Sequence, residues 1–436
     1  MSDINPEISK PKKISKRNYV ALFLISFGGN IAWAIENQYY NVYLYNKILP
    51  DPLYVSLMVA ITAVVSTVTT IVMGSIMDIR GKRRSFIIWA FICWAFASAA
   101  FPLSEFVKPF NVYLAVGVAI LVDCVMSYFG ATAYDAAYNA FIIDITTVEN
   151  RAKAVSINEI MTLFGTLVIY GATGFLLAAG LSYFYYFIIM AAATGIIGLI
   201  GGLSMQDSPT LQPLKVGFWE HIKTTFDRRH IKENKDCFLV LAGIAIQATS
   251  FSIFFPFIVI YLEHTVGLTG LWPSLVMFIG LLVSVGLSIP VGMFVDKIGR
   301  KKVAITSIVL EAISLVAFAY SGELWALITT GVLWVFFMMT WHISSQAWAG
   351  DLYPKSKAGQ FNGYFLIVNV LIAMVIGSPI GGLLSRRYGT PVVVDGIPGY
   401  APTYLIYLVG AAVVIFAIVP LLFAKEKPKL EEPLVQ

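Results

Sequence analysis

The chain has 436 residues, 58% hydrophobic and 13% charged, with a mean hydropathy of +0.78 and a formal net charge of +5. Water-soluble domains are nearer half apolar and a quarter charged, so this composition excludes a soluble globular fold and makes lipid the solvent for much of the surface. The positive balance is dispersed between apolar stretches instead of gathered on one face, which excludes a nucleic-acid partner.

A helix needs about 20 mostly apolar residues to cross the hydrocarbon layer. Twelve such runs are predicted, near residues 19–43, 54–77, 85–103, 112–143, 153–178 and 182–204, then 237–262, 271–295, 303–321, 324–350, 358–384 and 401–424. The first run is long and lacks a small-residue cleavage site, so it reads as a retained helix and not a signal peptide. Residues 1–204 form an N-terminal six-helix unit, 205–236 a linker and 237–436 a C-terminal six-helix unit. In the linker, Phe218, Ile222 and Phe226 recur at helical spacing beside Trp219, Lys223, Arg228 and Arg229, which suits an amphipathic helix lying on the membrane surface. Assigned to alternate sides, 26 of the 30 Lys and Arg residues fall on one side, leaving Lys47, Lys108, Arg386 and Arg387 on the other. The positive-inside rule then places both termini in the cytoplasm of a plasma-membrane protein. Cys93, Cys124 and Cys237 sit in apolar runs without metal or disulfide spacing and read as packing residues.

The chain is internally duplicated. Gly74, Asp78, Gly81 and Arg84, in the loop after the second span, recur as Gly292, Asp296, Gly299 and Lys302 after the eighth, and Asp144 recurs as Asp351. Two like halves imply a pathway between them. The pattern Gly-x-x-x-Asp-[Arg/Lys]-x-Gly-[Arg/Lys]-[Arg/Lys] resembles the signature of the major facilitator superfamily. The copy from Gly292 through Arg300 to Lys301 fits throughout; the first has Ile79 where a base is expected, with Arg80 one place later. The resemblance implies an all-α membrane protein of twelve transmembrane helices in two pseudo-symmetric bundles. It also implies a cytoplasmic gate of Gly74, Asp78, Arg80, Gly81, Arg84, Arg151, Gly292, Asp296, Gly299 and Arg300 that holds the halves together in one state.

Ionisable groups inside a bilayer are costly, at about 2.5 kcal/mol or more, and need a reason. The candidates are Glu36, Asp123, Asp135, Glu159, Glu311 and His342, with no Lys or Arg in the interior of the predicted spans, Lys153 standing at the very edge of the fifth, to neutralise the acids. Burial without a cationic partner favours the neutral form of a carboxyl, which suits a proton carrier. Asp135, Glu36 and His342 are the expected proton-coupling residues, with the proton as coupling ion and no other cofactor. Tyr128, Thr132, Asp135 and Asn139 form a polar stripe on the fourth span, and the repeat sets His342 and Gln346 opposite Asp135 and Asn139. Asn30, Trp33, Asn37, Tyr40 and Asn41 on the first span, with Gln247 on the seventh, complete an expected binding surface of amides and aromatic faces. Asp123 and Glu159 read as solvated or paired groups near span ends, and Glu311 is unassigned.

Two stretches, Phe27 to Ala34 and Tyr134 to Arg151, resemble the branch of glycoside–pentoside–hexuronide cation symporters and sucrose–proton symporters. That branch implies proton-coupled uptake of a sugar or glycoside by a monomer. The sodium-using members carry acids on the second span, whereas residues 64–73 contain none, which argues against sodium coupling of that kind. Asn139 stands where sucrose carriers have an arginine. The competing expectation is proton-coupled export of a drug-like organic solute. An enzyme or a non-transporting sensor is disfavoured, since the sequence offers neither a nucleophile–base pair nor a metal-ligand cluster.

Overall fold

The computed structural model describes residues 14–147, 150–208, 211–214, 217–219, 233–353 and 358–426. Six membrane-length helices precede the linker: α1 Lys16–Ile48, α2 Pro52–Arg80, α3 Arg84–Val107, α4 Val112–Ile145, α5 Lys153–Ala178 and α6 Tyr183–Ser204. After it come α7 Lys235–His264, the shorter α8 Trp272–Ser288, then α9 Arg300–Ala319, α10 Leu324–Leu352, α11 Gly363–Tyr388 and α12 Leu405–Phe423. These are the twelve apolar helices expected from hydropathy, though α8 stops early. Pro290, which has no N–H to donate, separates α8 from a short helix, Val291–Ile298, that completes the stretch. Most of the linker, including Ile222 and Phe226 of the expected surface helix, lies outside the described residues; Trp219 is described and exposed.

Helix ends carry their own signals. Asp51 caps α2 by accepting from the Leu53 amide at 2.9 Å, with Pro52 in the first turn. Asn111 does the same for α4 at Tyr113 and Leu114. At the far end of α2, Gly81 turns the chain out of the helix with φ of 62°. A Cβ there would lie 2.7 Å from the Pro213 nitrogen, so glycine is needed on both counts.

Within the first half, α1 packs on α5 and α6, and α3 on α4 and α6; within the second, α9 packs on α10 and α12. Small residues permit the close approaches that replace a hydrophobic drive in lipid. Gly198 receives the ring of Phe91, and Gly201 receives Ile25. Large apolar side chains such as Trp89, Phe96 and Trp325 remain exposed on the outside, as a lipid-facing surface requires.

One element lay beyond the hydropathy reading. Pro391–Val394 (β1) and Ile397–Tyr400 (β2) form an antiparallel hairpin between α11 and α12. Its turn is Asp395–Gly396, both at positive φ, the arrangement that Asp-Gly favours between β-branched residues. This hairpin reaches across to the first half. Tyr400 donates its amide to the Pro50 carbonyl at 3.0 Å, Tyr45 donates its hydroxyl to the Tyr400 carbonyl at 2.8 Å, and Lys108 pairs with Asp395 at 3.0 Å.

Further contacts between the halves cluster at the same end. Tyr39 and Ser274 hydroxyls lie 3.0 Å apart, Asn46 donates to Glu263 at 2.9 Å, and Asn46 Oδ1 lies 2.7 Å from His264 Nε2. Gly382 of α11 lies against Ser56 of α2, and Gly174 of α5 against Ser274 of α8. At the opposite end, where the two signature loops lie, a Cβ on Gly74 or Gly292 would meet nothing within 4 Å, and Ile289, Met293, Phe294 and Ile298 are exposed. Among the described residues, the protein is therefore closed at the hairpin end and parted at the signature end.

Two outcomes follow. Gly382→Val, whose Cβ would sit 2.4 Å from Ser56 Oγ, should hold the hairpin end ajar. Labelling of an Asn41→Cys probe from that side by an impermeant thiol reagent should rise at least ~10-fold in a background without other cysteines, a population shift of about 1.4 kcal/mol. The Lys108 hydrogen bond and charge, with Lys47, depress the Asp395 carboxyl below its ordinary value. A depressed carboxyl keeps its contact above the ordinary value and loses it only as pH falls through the lower one. Spin-label distances between Val393 and Phe110 should accordingly stay constant from neutral pH down to about pH 4.

Candidate functional site

A cavity of about 170 Å³ lies between α1, α2, α4 and α11. Its wall is Trp33, Glu36, Asn37 and Asn41 from α1; Val59, Thr62, Ala63 and Ser66 from α2; Asp123 and Asp135 from α4; and Leu366, Val370 and Met374 from α11. Three carboxyls line it without any Lys, Arg or His. The second half contributes an apolar face.

Local helix geometry brings the acids together. In an unbroken α-helix, the twelve residues from Asp123 to Asp135 leave their side chains roughly 120° apart. In α4, however, Ala131–Tyr138 is π-helical, and its wider turn advances less per residue, so both carboxyls reach one cavity. On α1, Ile35–Tyr40 is also π-helical, which aligns Glu36 with Asn41 five residues on. A further π segment, Ile367–Ile372 on α11, sits within the apolar wall, whereas a second on α1, Leu44–Ile48, lies away from the cavity. Such segments concentrate at functional sites.

Glu36 is 7% exposed, and its Oε1 accepts from Ser127 Oγ at 2.7 Å. Its Oε2 has no hydrogen-bond partner; neither has Oδ1 of Asp123, which is 1% exposed. Asp135 is half-buried at the wall. The neutral groups face the cavity in a consistent sense. Asn37 and Asn41 turn their amide nitrogens back onto the Trp33 and Asn37 carbonyls, both at 2.8 Å, and Asn41 Oδ1 is left without a partner. Thr62 and Ser66 donate their hydroxyls to the Met58 and Ala63 carbonyls of their own helix. On the wall, three oxygen acceptors (Glu36 Oε2, Asp123 Oδ1 and Asn41 Oδ1) and one donor, Trp33 Nε1, are without a partner.

Several residues expected at the site lie elsewhere. Asn30 is buried inside the first half, where its Nδ2 donates to the Tyr134 hydroxyl at 2.7 Å; Tyr134 and Ser26 in turn donate to Asn158 of α5. Tyr40 stacks on Phe101 at 3.8 Å and packs against Phe187, on the side of α1 facing α3 and α6. Tyr128 is exposed, with its hydroxyl 3.7 Å from Met73 Sδ. Thr132 is buried and bonds the Tyr128 carbonyl of its own helix, and Asn139 bonds the Asp135 carbonyl. The stripe assumed α-helical spacing through a segment that is π-helical. Gln247 donates to Glu311 Oε1 at 2.9 Å, both fully buried between α7 and α9, which gives Glu311 a partner and removes Gln247 from the cavity. His342 is half-buried and Gln346 exposed, and neither lines the cavity, so no proton exchange between Asp135 and His342 is built on it. Glu159 is exposed at the start of α5. In the other direction, Asp123 lines the cavity although its place near a span end points to a solvated or paired group, and Thr62 and Ser66, four apart on an apolar helix, are a polar pair visible in the sequence.

At the signature end, Arg83 is the organising base, a residue absent from the expected gate. Its side chain is almost fully buried, pairing with Asp78 and, at 3.1 Å through Nε, with Asp144. Burial works against its charge, but the hydrogen bonds and charges of Asp78 and Asp144 outweigh that and raise its pKa. The second copy places Arg300 against Asp351 and the Ala347 carbonyl. Both pairings close within one half, which fits the parted state. Arg80 is exposed, its guanidinium 5.7 Å from the Phe86 ring, and Arg84 bonds the Gly202 and Leu203 carbonyls at the end of α6. Arg151 bonds Thr146 at 3.2 Å, and Gly299 turns with φ of 106°. The Asp296 side chain lies outside the described residues. Arg83→Ala would take the buried base away from Asp78 and Asp144 and should cost about 2 kcal/mol or more in thermal unfolding of the purified protein, less than a fully buried pair because Asp78 is partly exposed. Arg80→Ala should stay within ~0.5 kcal/mol of the parent.

The sequence is 29% identical over 164 residues to a Na(+), Li(+), K(+)/H(+) antiporter of Planococcus maritimus, covering 36% of this chain and 37% of that one. It is 23% identical over 338 residues to Multidrug resistance protein 2 of Bacillus subtilis (strain 168), covering 75% and 78%. The fold matches the partially occluded inward-open xylose transporter XylE from E. coli with a TM-score of 0.69 at 15% identity, covering 96% of this chain and 100% of that one. These relatives by sequence are not glycoside or sucrose symporters, so the expected branch is not supported by them. The Major Facilitator Superfamily profile matches residues 19–287 and 240–435. The chain thus belongs to the Major Facilitator Superfamily, as a multi-pass membrane transporter of a small-molecule solute and not an enzyme.

Proposed function

We propose that this transporter exchanges protons for a positively charged, drug-like organic solute and works as an exporter. The carrying observation is the wall of the cavity: Glu36, Asp123 and Asp135 with amide and hydroxyl oxygens, and no base. A cation brings charge and no lone pairs, so it suits such a wall. Its apolar body can rest on Trp33, Leu366, Val370 and Met374, because an aromatic face attracts cations and the α11 wall excludes water. The relatives named as a multidrug resistance protein and a cation/H⁺ antiporter support this reading over sugar uptake. A sugar hydroxyl both donates and accepts, and the wall gives it few donors in return. Likeness to a xylose transporter at 15% identity speaks for the fold alone.

The cycle follows from electrostatics. A carboxyl facing a low-dielectric cavity is neutralised either by a proton or by the cargo. Competition for the same groups makes one species leave as the other binds, which couples the two flows without their meeting. In the parted state the cavity side opens toward the signature loops, the side that the excess of Lys and Arg assigns to the cytoplasm. Closure there and opening at the hairpin end would deliver the cargo outside.

Proteoliposomes with an imposed pH gradient test this. Tetraphenylphosphonium should accumulate against its gradient, and Asp135→Asn should lower the accumulation at least ~10-fold, about 1.4 kcal/mol of lost coupling. Accumulation that survives Asp135→Asn combined with Glu36→Gln, or accumulation of a glycoside in place of the cation, defeats the reading.

A further inference from the structure

The corner formed by Glu36, Asp123 and Asn41 has a feature that an organic cation does not account for. Three oxygens, Glu36 Oε2, Asp123 Oδ1 and Asn41 Oδ1, are buried without hydrogen-bond partners. Asn41 is 1% exposed and neutral, so its stranded oxygen is independent of the two acids. An orphaned buried acceptor costs about 1–3 kcal/mol, and the chain has placed three on one cavity. Among the described residues, the one unpartnered donor atom on this wall is Trp33 Nε1, a single N–H that can serve at most one of the three. The charged or titratable groups around the corner are Asp135 on α4 and, beside the acids, Cys124 and Tyr40, while α2 and α11 contribute none to the wall. Thr62 and Ser66 cannot donate either, because their hydroxyls are already spent on α2.

We propose that this corner is a binding site for a partly dehydrated alkali cation. Hard cations take oxygen ligands, mixing carboxylate with amide and hydroxyl oxygens. With one of the two acids protonated the corner carries a single negative charge, which one alkali ion neutralises, and among the described residues there is no group of three His, Cys, Asp or Glu of the kind that holds a divalent or transition metal. The π turn at Ile35–Tyr40 supplies the alignment, because it is what puts Asn41 over Glu36. This site differs in place from one built on acids of α2, which the chain lacks. The alkali ion would occupy the corner when the organic solute is absent and would compete with protons for Glu36 and Asp123. The inference shares with the proposed function only the reading of the cavity as the place where charge is exchanged.

Thermal unfolding of the full-length protein in lipid nanodiscs decides it. Lithium, sodium or potassium chloride is compared with N-methyl-D-glucamine chloride at equal ionic strength and at alkaline pH. A ligand that binds the folded state raises the midpoint saturably. At least one alkali salt should do so, and the three arms rank the ions. Asp123→Asn and Asn41→Leu should each weaken the apparent affinity at least ~10-fold, whereas Glu311→Gln, an acid outside the cavity, should preserve it. Superimposed curves for all four salts overturn the proposal, as does an undiminished alkali response in Asn41→Leu, which also decides the matter if Asp123→Asn does not fold. Tetraphenylphosphonium serves as the second ligand: stabilisation by it with no alkali response sinks this inference alone, and the converse sinks the organic-cation reading alone.

Discussion

The arrangement depends on one constraint: carboxyl groups held in a low-dielectric interior without a basic partner. A charge there is costly unless something mobile offsets it. Among the described residues lining the cavity there is no fixed cation for Glu36 and Asp123, and the hydroxyl that bonds Glu36, Ser127, is neutral. A protein that needed only stability would have replaced them with apolar residues, since a buried acid contributes little to a fold. Buried charge without a counter-charge makes sense where protons and cargo take turns as the counter-charge.

The two ends of the molecule differ in how they are held. The hairpin end is tied by many modest contacts: backbone pairing at Pro50, hydroxyls at Tyr39 and Tyr45, and the Asn46–Glu263–His264 group. None of these is a deeply buried ion pair, so each can be released at small cost. The signature end carries the stronger electrostatics, but Arg83 and Arg300 bond acids of their own half in this state. Such clusters would brace each half as a rigid body, as the proposed cycle requires of halves that rock against one another.

Much of the fold was legible in the sequence because lipid imposes a coarse rule. Twenty apolar residues announce a span whatever their neighbours, and a glycine–acid–base loop repeated after the second and eighth spans announces the duplication. The placement of Glu36 and Asp135 on a shared cavity was readable from their cost alone. The contents of the rest of the site were not, because they depend on angular position. A π turn in α1 and another in α4 shift the faces by a fraction of a turn. That is enough to bring Asp123 in and to leave Tyr128 and Thr132 out, while Asn37 and Asn41 stay on the wall and Asn30, before the π turn, bonds inside the first half. Gln247 was misread for another reason: its partner Glu311 sits on a different helix at no fixed spacing. The hairpin at Asp395–Gly396 had a turn signal in plain view, but a search for spans passes over eight residues of strand.

The most direct test of the central claim follows protons during binding. Purified protein in weakly buffered solution, saturated with tetraphenylphosphonium near neutral pH, should release about one proton per bound cation, because ligand and proton compete for the same carboxyls. The release should fall sharply when Glu36, Asp123 and Asp135 are replaced by their amides. Saturable binding with no proton release in the parent protein would contradict the account, since the cavity acids would then not be the groups that cargo discharges.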